Sequence, residues 1–202
     1  MRYAIEKKIK DNLELLRHLQ LPQKYPIELF TRPEIFNTRR EVITLQGFAV
    51  LEKDWLEVLA NWIGKRKVLE VMSGCGALTK ALQDFCIDIR GTDNFELKDK
   101  WQNIWCEIEN IDAVNAIEKY KDRDLLIMSW APYDKDIDYK CLEKMRQVNP
   151  NMKMLIIGEM YGATGSEKFW KEANILDEAI IDKLNNMYHR WMFIHDRFFL
   201  IN

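Results

Sequence analysis

The chain has 202 residues, 48% of them hydrophobic and 31% charged, with a formal net charge of -2 at neutral pH. That length supports one sizeable core, and the composition is that of an ordinary globular chain. The near-neutral balance argues against broad, non-specific attraction to nucleic acid, and no apolar run approaches the roughly 20 residues that span a bilayer.

The first residues, Met1 to Lys8, alternate charged and apolar side chains, which is not the pattern of a signal peptide, so the cytoplasm is the expected compartment. Cys75, Cys86, Cys106 and Cys141 stand far apart, with no Cys-x-x-Cys pair and no histidine cluster. They read as small buried hydrophobes, and neither a disulfide framework nor a metal site is expected.

Ile5, Ile9, Leu13, Leu16 and Leu19 form a helical stripe that breaks at Leu21-Pro22. Residues 23–40 are irregular, with Pro26 and Pro33. Ile35, Phe36, Val42, Ile43, Leu45 and Phe48 give this region side chains to pack, so it reads as a cap or lid. Asp54-Trp55-Leu56-Glu57 has the pattern of a helix start, with Asp54 as N-cap and Glu57 reaching back. Trp55, Leu59 and Trp62 share one face of that helix, and Gly64 ends it. The expected division is a helical cap over 1–64 and a main domain over 65–202.

From Lys67 onward short apolar runs alternate with helical patterns. The expected strands are 68–71, 87–91, 104–106, 125–129 and 154–158, with helices over 77–85, 112–120 and 139–147 between them. This alternation predicts an α/β fold with a mainly parallel sheet and helices on both faces. Further on, Thr164-x-x-Glu167 could cap a helix from Ser166, a longer helix is expected over 173–186, and residues 189–201 read as a closing hairpin.

The stretch from Lys67 to Asn94 carries most of the chemistry. A buried strand ends in Glu70, a carboxylate that is costly unless something pairs with it. Gly74 and Gly76 follow, at the mouth of a helix whose free N–H groups favour an acceptor or anion. The next strand ends at Asp93-Asn94, where a ribose hydroxyl pair is normally held in nucleotide-binding folds. Gly-x-Gly without the third glycine, since Thr79 stands there, weighs against a nicotinamide-linked oxidoreductase.

Glu70-x-x-x-Gly74-x-Gly76 followed by Asp93 resembles the first two motifs of class I S-adenosylmethionine-dependent methyltransferases. The resemblance covers about Lys67 to Ile201. It implies a Rossmann-like, seven-stranded, mostly parallel sheet with an antiparallel strand near the C-terminal edge. It also implies S-adenosyl-L-methionine as cofactor, along Glu70–Gly76 with Asp93 on the ribose and Asn94 beside it. Where the family usually has glycine this chain has Met72, which would narrow the pocket. Asp112 stands where the family often places an acid near the adenine amino group, and equally where a helix N-cap would fall. Ser129-Trp130-Ala131-Pro132-Tyr133 looks like the Asp/Asn-Pro-Pro-Tyr loop of amino-group methyltransferases. Pro132 and Tyr133 match it, while Trp130 and Ala131 depart from it, which weighs against an adenine-amino substrate. Trp130 and Tyr133 either stack on a flat ligand or pack as aromatics.

The motifs as a set are similar to a methyltransferase-like group of bacteria and fungi. That group has a Trp-Pro-Pro-Tyr-like loop, a Gly-Glu followed by Gly-x-Thr-Gly, and a closing His-Asp-Arg. Here these are Trp130 to Tyr133, Gly158-Glu159 with Gly162 to Gly165, and His195-Asp196-Arg197. Glu159 reads as a substrate contact or general base, or else as a partner of Arg197. His195-Asp196 reads as a turn with a polar pair. Two functions follow as expectations: a methyltransferase with an acceptor that is a small molecule or a macromolecule, or a methyltransferase-like binding protein that acts through a protein partner without turnover. Tyr133 and Glu159 are the expected catalytic residues. Glu70, Met72, Gly74, Gly76, Asp93, Asn94, Asp112, Ser129 and Trp130 are the expected cofactor contacts.

Overall fold

The structure, a computed structural model, describes residues 2–31 and 36–202. Of the apolar side chains singled out above, those of Ile5, Ile9, Ile35 and Phe36 lie outside the described part, as does Pro33.

Four helices come first: α1 (Arg2–Leu16), α2 (Glu28–Thr31), α3 (Phe36–Gln46) and α4 (Lys53–Ile63). The α/β alternation follows with β1 (Val68–Val71), α5 (Ala77–Asp84), β2 (Ile89–Asp93), β3 (Ile108–Asn110) and α6 (Ala113–Lys119). It continues through β4 (Leu125–Ser129), α7 (Ile137–Val148), β5 (Lys153–Gly158), α8 (Glu167–Glu172), β6 (Ile175–Leu176), α9 (Ala179–Met187) and β7 (Arg197–Ile201).

Among the described residues the strands form one seven-stranded sheet in the order β3-β2-β1-β4-β5-β7-β6. Pairings among β1 to β5 are parallel, and β7 runs antiparallel to both β5 and β6. The central strands are near-continuous apolar runs because helices cover both faces. Val68, Leu125, Ile127, Leu155, Ile157, Phe198 and Leu200 face the layer holding α4, α5 and α9. Leu69, Leu126, Met128, Met154, Ile156, Phe199 and Ile201 face α6, α7 and α8. The two sets interleave along each strand, as a period of two requires. This is the expected fold class.

Several expected boundaries move. Helix α4 begins two residues earlier than its Asp54 cap would place it. Glu52 takes the N-cap position without capping, and Asp54 accepts from the Trp55 N–H at 2.7 Å and pairs with Lys24 at 3.1 Å. Trp55 is fully buried, edge-on to Tyr188 and Phe198, while Trp62 lies under the Arg66 guanidinium.

Residues 104–106 are not a strand. The Trp105 N–H donates to the Cys75 carbonyl and its indole N–H to the Leu45 carbonyl, so this apolar run ties the N-terminal helices to the glycine loop. Strand β3 forms beyond it, at the more polar Ile108–Asn110. Ser166 caps α8, its Oγ accepting from the Phe169 N–H at 3.1 Å, rather than Thr164. The expected helix over 173–186 divides into the edge strand β6 and the shorter α9, and the tail hairpin is replaced by β7 paired between β5 and β6.

Candidate functional site

A cavity of about 740 Å³ opens at the carboxyl edge of the parallel strands. Its walls come from the loops after β1, β2 and β4, the start of α6, the segment before and into α7, and residues 46–51 of the N-terminal region. The volume lies within the range of small-molecule sites.

Glu70 stands at the heart of the loop geometry. Alternation along β1 puts it on the same face as Val68, toward α5, where Thr79 Oγ1 donates to its Oε2. Its strand neighbour across the sheet is Gly91, and a Cβ there would meet Thr79 Oγ1 at 2.6 Å. Glycine at 91 therefore leaves room for the Thr79–Glu70 bond. Glu70 is 2% exposed, and burial pushes its carboxyl up to about 8, with the Thr79 contacts pulling the other way. Near neutral pH this group carries its proton.

Three residues of the loop, Met72, Gly74 and Gly76, have positive φ, of 53°, 57° and 74°. The chain thus reverses tightly three times between β1 and α5. Gly74 and Gly76 meet this without cost, but Met72 holds a left-handed conformation that costs a non-glycine residue roughly 1–2 kcal/mol. A Cβ at Gly74 would also meet the Trp101 ring at 2.9 Å, and one at Gly76 would meet Ile108 Cδ1 at 2.8 Å.

Asp93 ends β2 and fixes the loop from the side. Its Oδ2 accepts from the Gly74 N–H at 2.8 Å and its Oδ1 from the Phe95 N–H at 2.7 Å. Each oxygen keeps a further lone pair for a ligand hydroxyl.

Asp112 is the N-cap of α6, its Oδ1 accepting from the Val114 and Asn115 N–H groups at 3.1 Å, and it lines the cavity as well. Cap and wall are one residue here. Asn94 and Ser129 also line the cavity, Asn94 Oδ1 accepting from the Glu96 N–H at 3.1 Å.

Trp130 has φ of 57° and forms a wall at the end of β4. Its ring stacks on Phe48 at 5.1 Å and 12°, and its indole N–H donates to Asp196 Oδ2 at 3.0 Å. Phe48 in turn meets the edge of Trp101, and Lys100 Nζ sits 4.2 Å from the Phe48 ring centroid.

The cavity gathers Glu70, Met72, Gly74, Asp93, Asn94, Asp112, Ser129 and Trp130 from the expected set. Gly76 lies just behind, as the N-cap of α5. Tyr133 and Glu159 are not among the lining residues. Tyr133 is 65% exposed. Glu159 follows β5, where Oε2 accepts from the Ala163 N–H and Oε1 from the His195 N–H, both at 2.7 Å. Its carboxylate pins two loops together, and among the described residues no ion pair joins it to Arg197. Asp196 is fully buried and holds Tyr188 and Trp130.

The sequence marked a cap that includes Phe48 without singling out Gln46 to Leu51 as the far wall, and it gave no sign of the acidic and basic residues Glu96, Asp134, Lys135, Asp136 and Lys140. The proline-rich irregularity before Phe48 signalled a cover but gave no contact. Burial pushes the Cys75 thiol up to about 12 and Cys106 to about 11, which keeps both as thiols near neutral pH. Among the described residues no group of His, Cys, Asp and Glu could hold a metal, and no helix is long and apolar enough to cross a membrane.

Sheet order and loop placement define a Rossmann-like α/β domain. No protein-family model matches the chain, and no curated protein matches it. Among solved structures it is similar to TehB from Haemophilus influenzae, with 14% identity over 81% of this chain and 66% of that one and a TM-score of 0.49. It is similar to a mutant of MtNAS in complex with S-adenosylmethionine, with 11% identity over 100% of this chain and 78% of that one and a TM-score of 0.46. A third is the CcbJ methyltransferase from Streptomyces caelestis, with 15% identity over 52% of this chain and a TM-score of 0.40; the chain spans 48% of that protein's length. These are likenesses of fold alone.

Proposed function

We propose that the chain binds S-adenosyl-L-methionine in the 740 Å³ cavity and transfers its methyl group to an acceptor on the Trp130 side. The observation that carries this is the charge and donor set of the walls. Asp93, Glu96, Asp112, Asp134 and Asp136 line the cavity against two lysines, Lys135, which pairs with Glu96 at 3.1 Å, and Lys140, and Glu70 adds a neutral carboxyl. An acidic, concave site of this size favours a cationic ligand with hydroxyl groups.

The bound cofactor supplies a methyl group already activated on a sulfonium. What this chain contributes is position. Asp93, held by two backbone N–H groups, offers its remaining lone pairs to a ribose hydroxyl pair. Gly74 lets the Trp101 ring pack directly on the loop backbone and so fixes the loop at the cavity wall. Protonated Glu70 adds no charge of its own and holds the α5 end of the loop through Thr79. Asp112 presents its carboxylate at the α6 end of the cavity while capping that helix. Phe48 and Trp130, stacked on each other, form an apolar wall that excludes water from the acceptor side. Tyr133, exposed between the lining residues Pro132 and Asp134, is the side chain we assign to meeting an acceptor. Glu159 acts by holding its loops in place.

A thermal unfolding series in rising S-adenosylhomocysteine tests the reading. Ligand at about one hundred times its dissociation constant should stabilise the fold by about 2.7 kcal/mol. An unfolding midpoint that stays fixed up to millimolar ligand would overturn it.

A further inference from the structure

Among the described residues, the three exposed aromatic side chains stand in three adjacent loops of one sheet edge. Tyr133 follows β4, Tyr161 follows β5 and Phe193 precedes β7, at 65%, 62% and 75% exposure. These strands are neighbours in the order β4-β5-β7, and β7 is antiparallel, so all three loops lie at the carboxyl edge beside the cavity. Tyr161 and Phe193 hold positive φ, of 55° and 65°. A left-handed backbone is unfavourable for a non-glycine residue and persists only where the surroundings over-determine it. Neither ring is buried, so packing does not offset that strain.

Hydrogen bonds tie the three loops to one another close to each ring. The Gly165 N–H donates to the Ala131 carbonyl at 3.0 Å, joining the β5 loop to the β4 loop two residues before Tyr133. Glu159 Oε2 accepts from the Ala163 N–H and Oε1 from the His195 N–H, both at 2.7 Å. One carboxylate thus holds the chain two residues after Tyr161 and two residues after Phe193. The Trp130 indole donates to Asp196 at 3.0 Å, three residues from Tyr133 and three from Phe193. Glycine at 162 makes room for this bracket, since a Cβ there would meet Glu159 Cδ at 2.5 Å.

Arg190 and Arg197 are exposed beside the row, and neither has an ion-pair partner among the described residues. Arg197 is paired with Gly158 in the β5–β7 register, and the charge of Arg190 acts on Asp196. Asp196 is fully buried and Glu159 is held by two N–H groups, so positive charge is what reaches solvent here. The acids Asp134 and Asp136 line the cavity instead.

We propose that this row is a stacking platform for a single-stranded nucleic acid, with bases on Tyr133, Tyr161 and Phe193 and phosphates beside Arg190 and Arg197. Every base offers a flat face to an aromatic ring, so a row of rings with a few cations holds single strands without reading sequence. Two strand spacings, about 10 Å, separate β4 from β7, a length that about three nucleotides cover. A second protein is the poorer fit. The exposed parts of the three rings amount to roughly 400 Å², about half of what each side of a stable interface contributes. The site is local, in keeping with a net charge of -2 that gives no broad attraction. The proposal concerns binding alone and does not depend on the transferase reading.

Fluorescence anisotropy on the full chain without cofactor tests it, with labelled oligouridine and oligothymidine of about twelve nucleotides as probes. Both should bind saturably and alike, since neither stacking nor phosphate contact reads the 2′-hydroxyl. A duplex of the same length, whose base faces are already stacked, should bind at least about tenfold more weakly. Tyr161→Ala and Phe193→Ala should each weaken the single strands by about tenfold, with unfolding midpoints recorded alongside. Replacing Arg190 and Arg197 together by glutamine should flatten the log–log salt dependence by about 1.4, at about 0.7 per phosphate. Ile175→Ala, exposed at the opposite end of the sheet, should leave binding unchanged. No binding of either oligonucleotide would overturn the proposal, as would uridine monophosphate or the duplex binding as tightly as the single strand. A dimer on a sizing column that Phe193→Ala turns into a monomer would overturn it too, since the row would then belong to a second copy. S-adenosylhomocysteine binding is read separately, so either reading can fail alone.

Discussion

Replacing Glu70 by glutamine isolates the most strongly perturbed group of the site. In the folded chain burial lifts the Glu70 carboxyl to about 8 from an ordinary 4.5. Between those two values the folded chain holds a proton that the unfolded chain has released. Stability therefore falls as pH rises through this window, and the loss is complete only above about 8. The gap from 4.5 to about 8 corresponds to a loss of at most about 5 kcal/mol, at about 1.4 kcal/mol per pH unit.

Asp196 works in the same direction, since burial raises its carboxyl from 3.8 to about 6, but its window closes lower. The part between about pH 6.5 and pH 9 thus belongs to Glu70, at about 2 kcal/mol. Glutamine keeps an oxygen for Thr79 and has nothing to titrate. Urea unfolding of both proteins across this range is the assay. The variant should match the wild type near pH 5 and exceed it by several kcal/mol at pH 9. Curves that run parallel across the range would refute a buried, protonated Glu70.

Gly74→Ala adds a Cβ 2.9 Å from the Trp101 ring at a φ of 57°. It should cost about 1–2 kcal/mol in denaturant unfolding and weaken S-adenosylhomocysteine several-fold. Thr79→Val removes the donor to Glu70 and should cost about 1–3 kcal/mol by the same assay, because a buried acceptor is left unmet. Trp55→Ala empties a fully buried site against Tyr188 and Phe198 and should cost about 3–5 kcal/mol, read as a lower urea midpoint at constant slope.

The sheet was legible where burial was two-sided. Strand β4 falls where its apolar run lies, and β1 does too, because only buried strands of a parallel sheet carry such runs. Strand β3 escaped because it is a half-exposed edge strand with Glu109 and Asn110 in it, while the apolar Ile104-Trp105 beside it serves another contact. Edge strand β6 has two residues and no pattern to read, so helical spacing across 173–186 ran through it. At the site, the acid–loop–acid spacing from Glu70 to Asp93 placed residues that do meet in one cavity. The roles of Asp196 and Phe48 depend on contacts between distant parts of the chain, such as Trp130 to Asp196, and no local pattern encodes those.

The central claim is that Asp93 and the loop it holds form a cofactor site. Calorimetric titration of the purified protein and of Asp93→Ala with S-adenosylhomocysteine tests it most directly. One saturable site in the micromolar range, weakened at least about tenfold by the substitution, is the result expected when charge-assisted hydrogen bonds are lost. No heat with the intact protein, or an affinity that Asp93→Ala leaves unchanged, would contradict it.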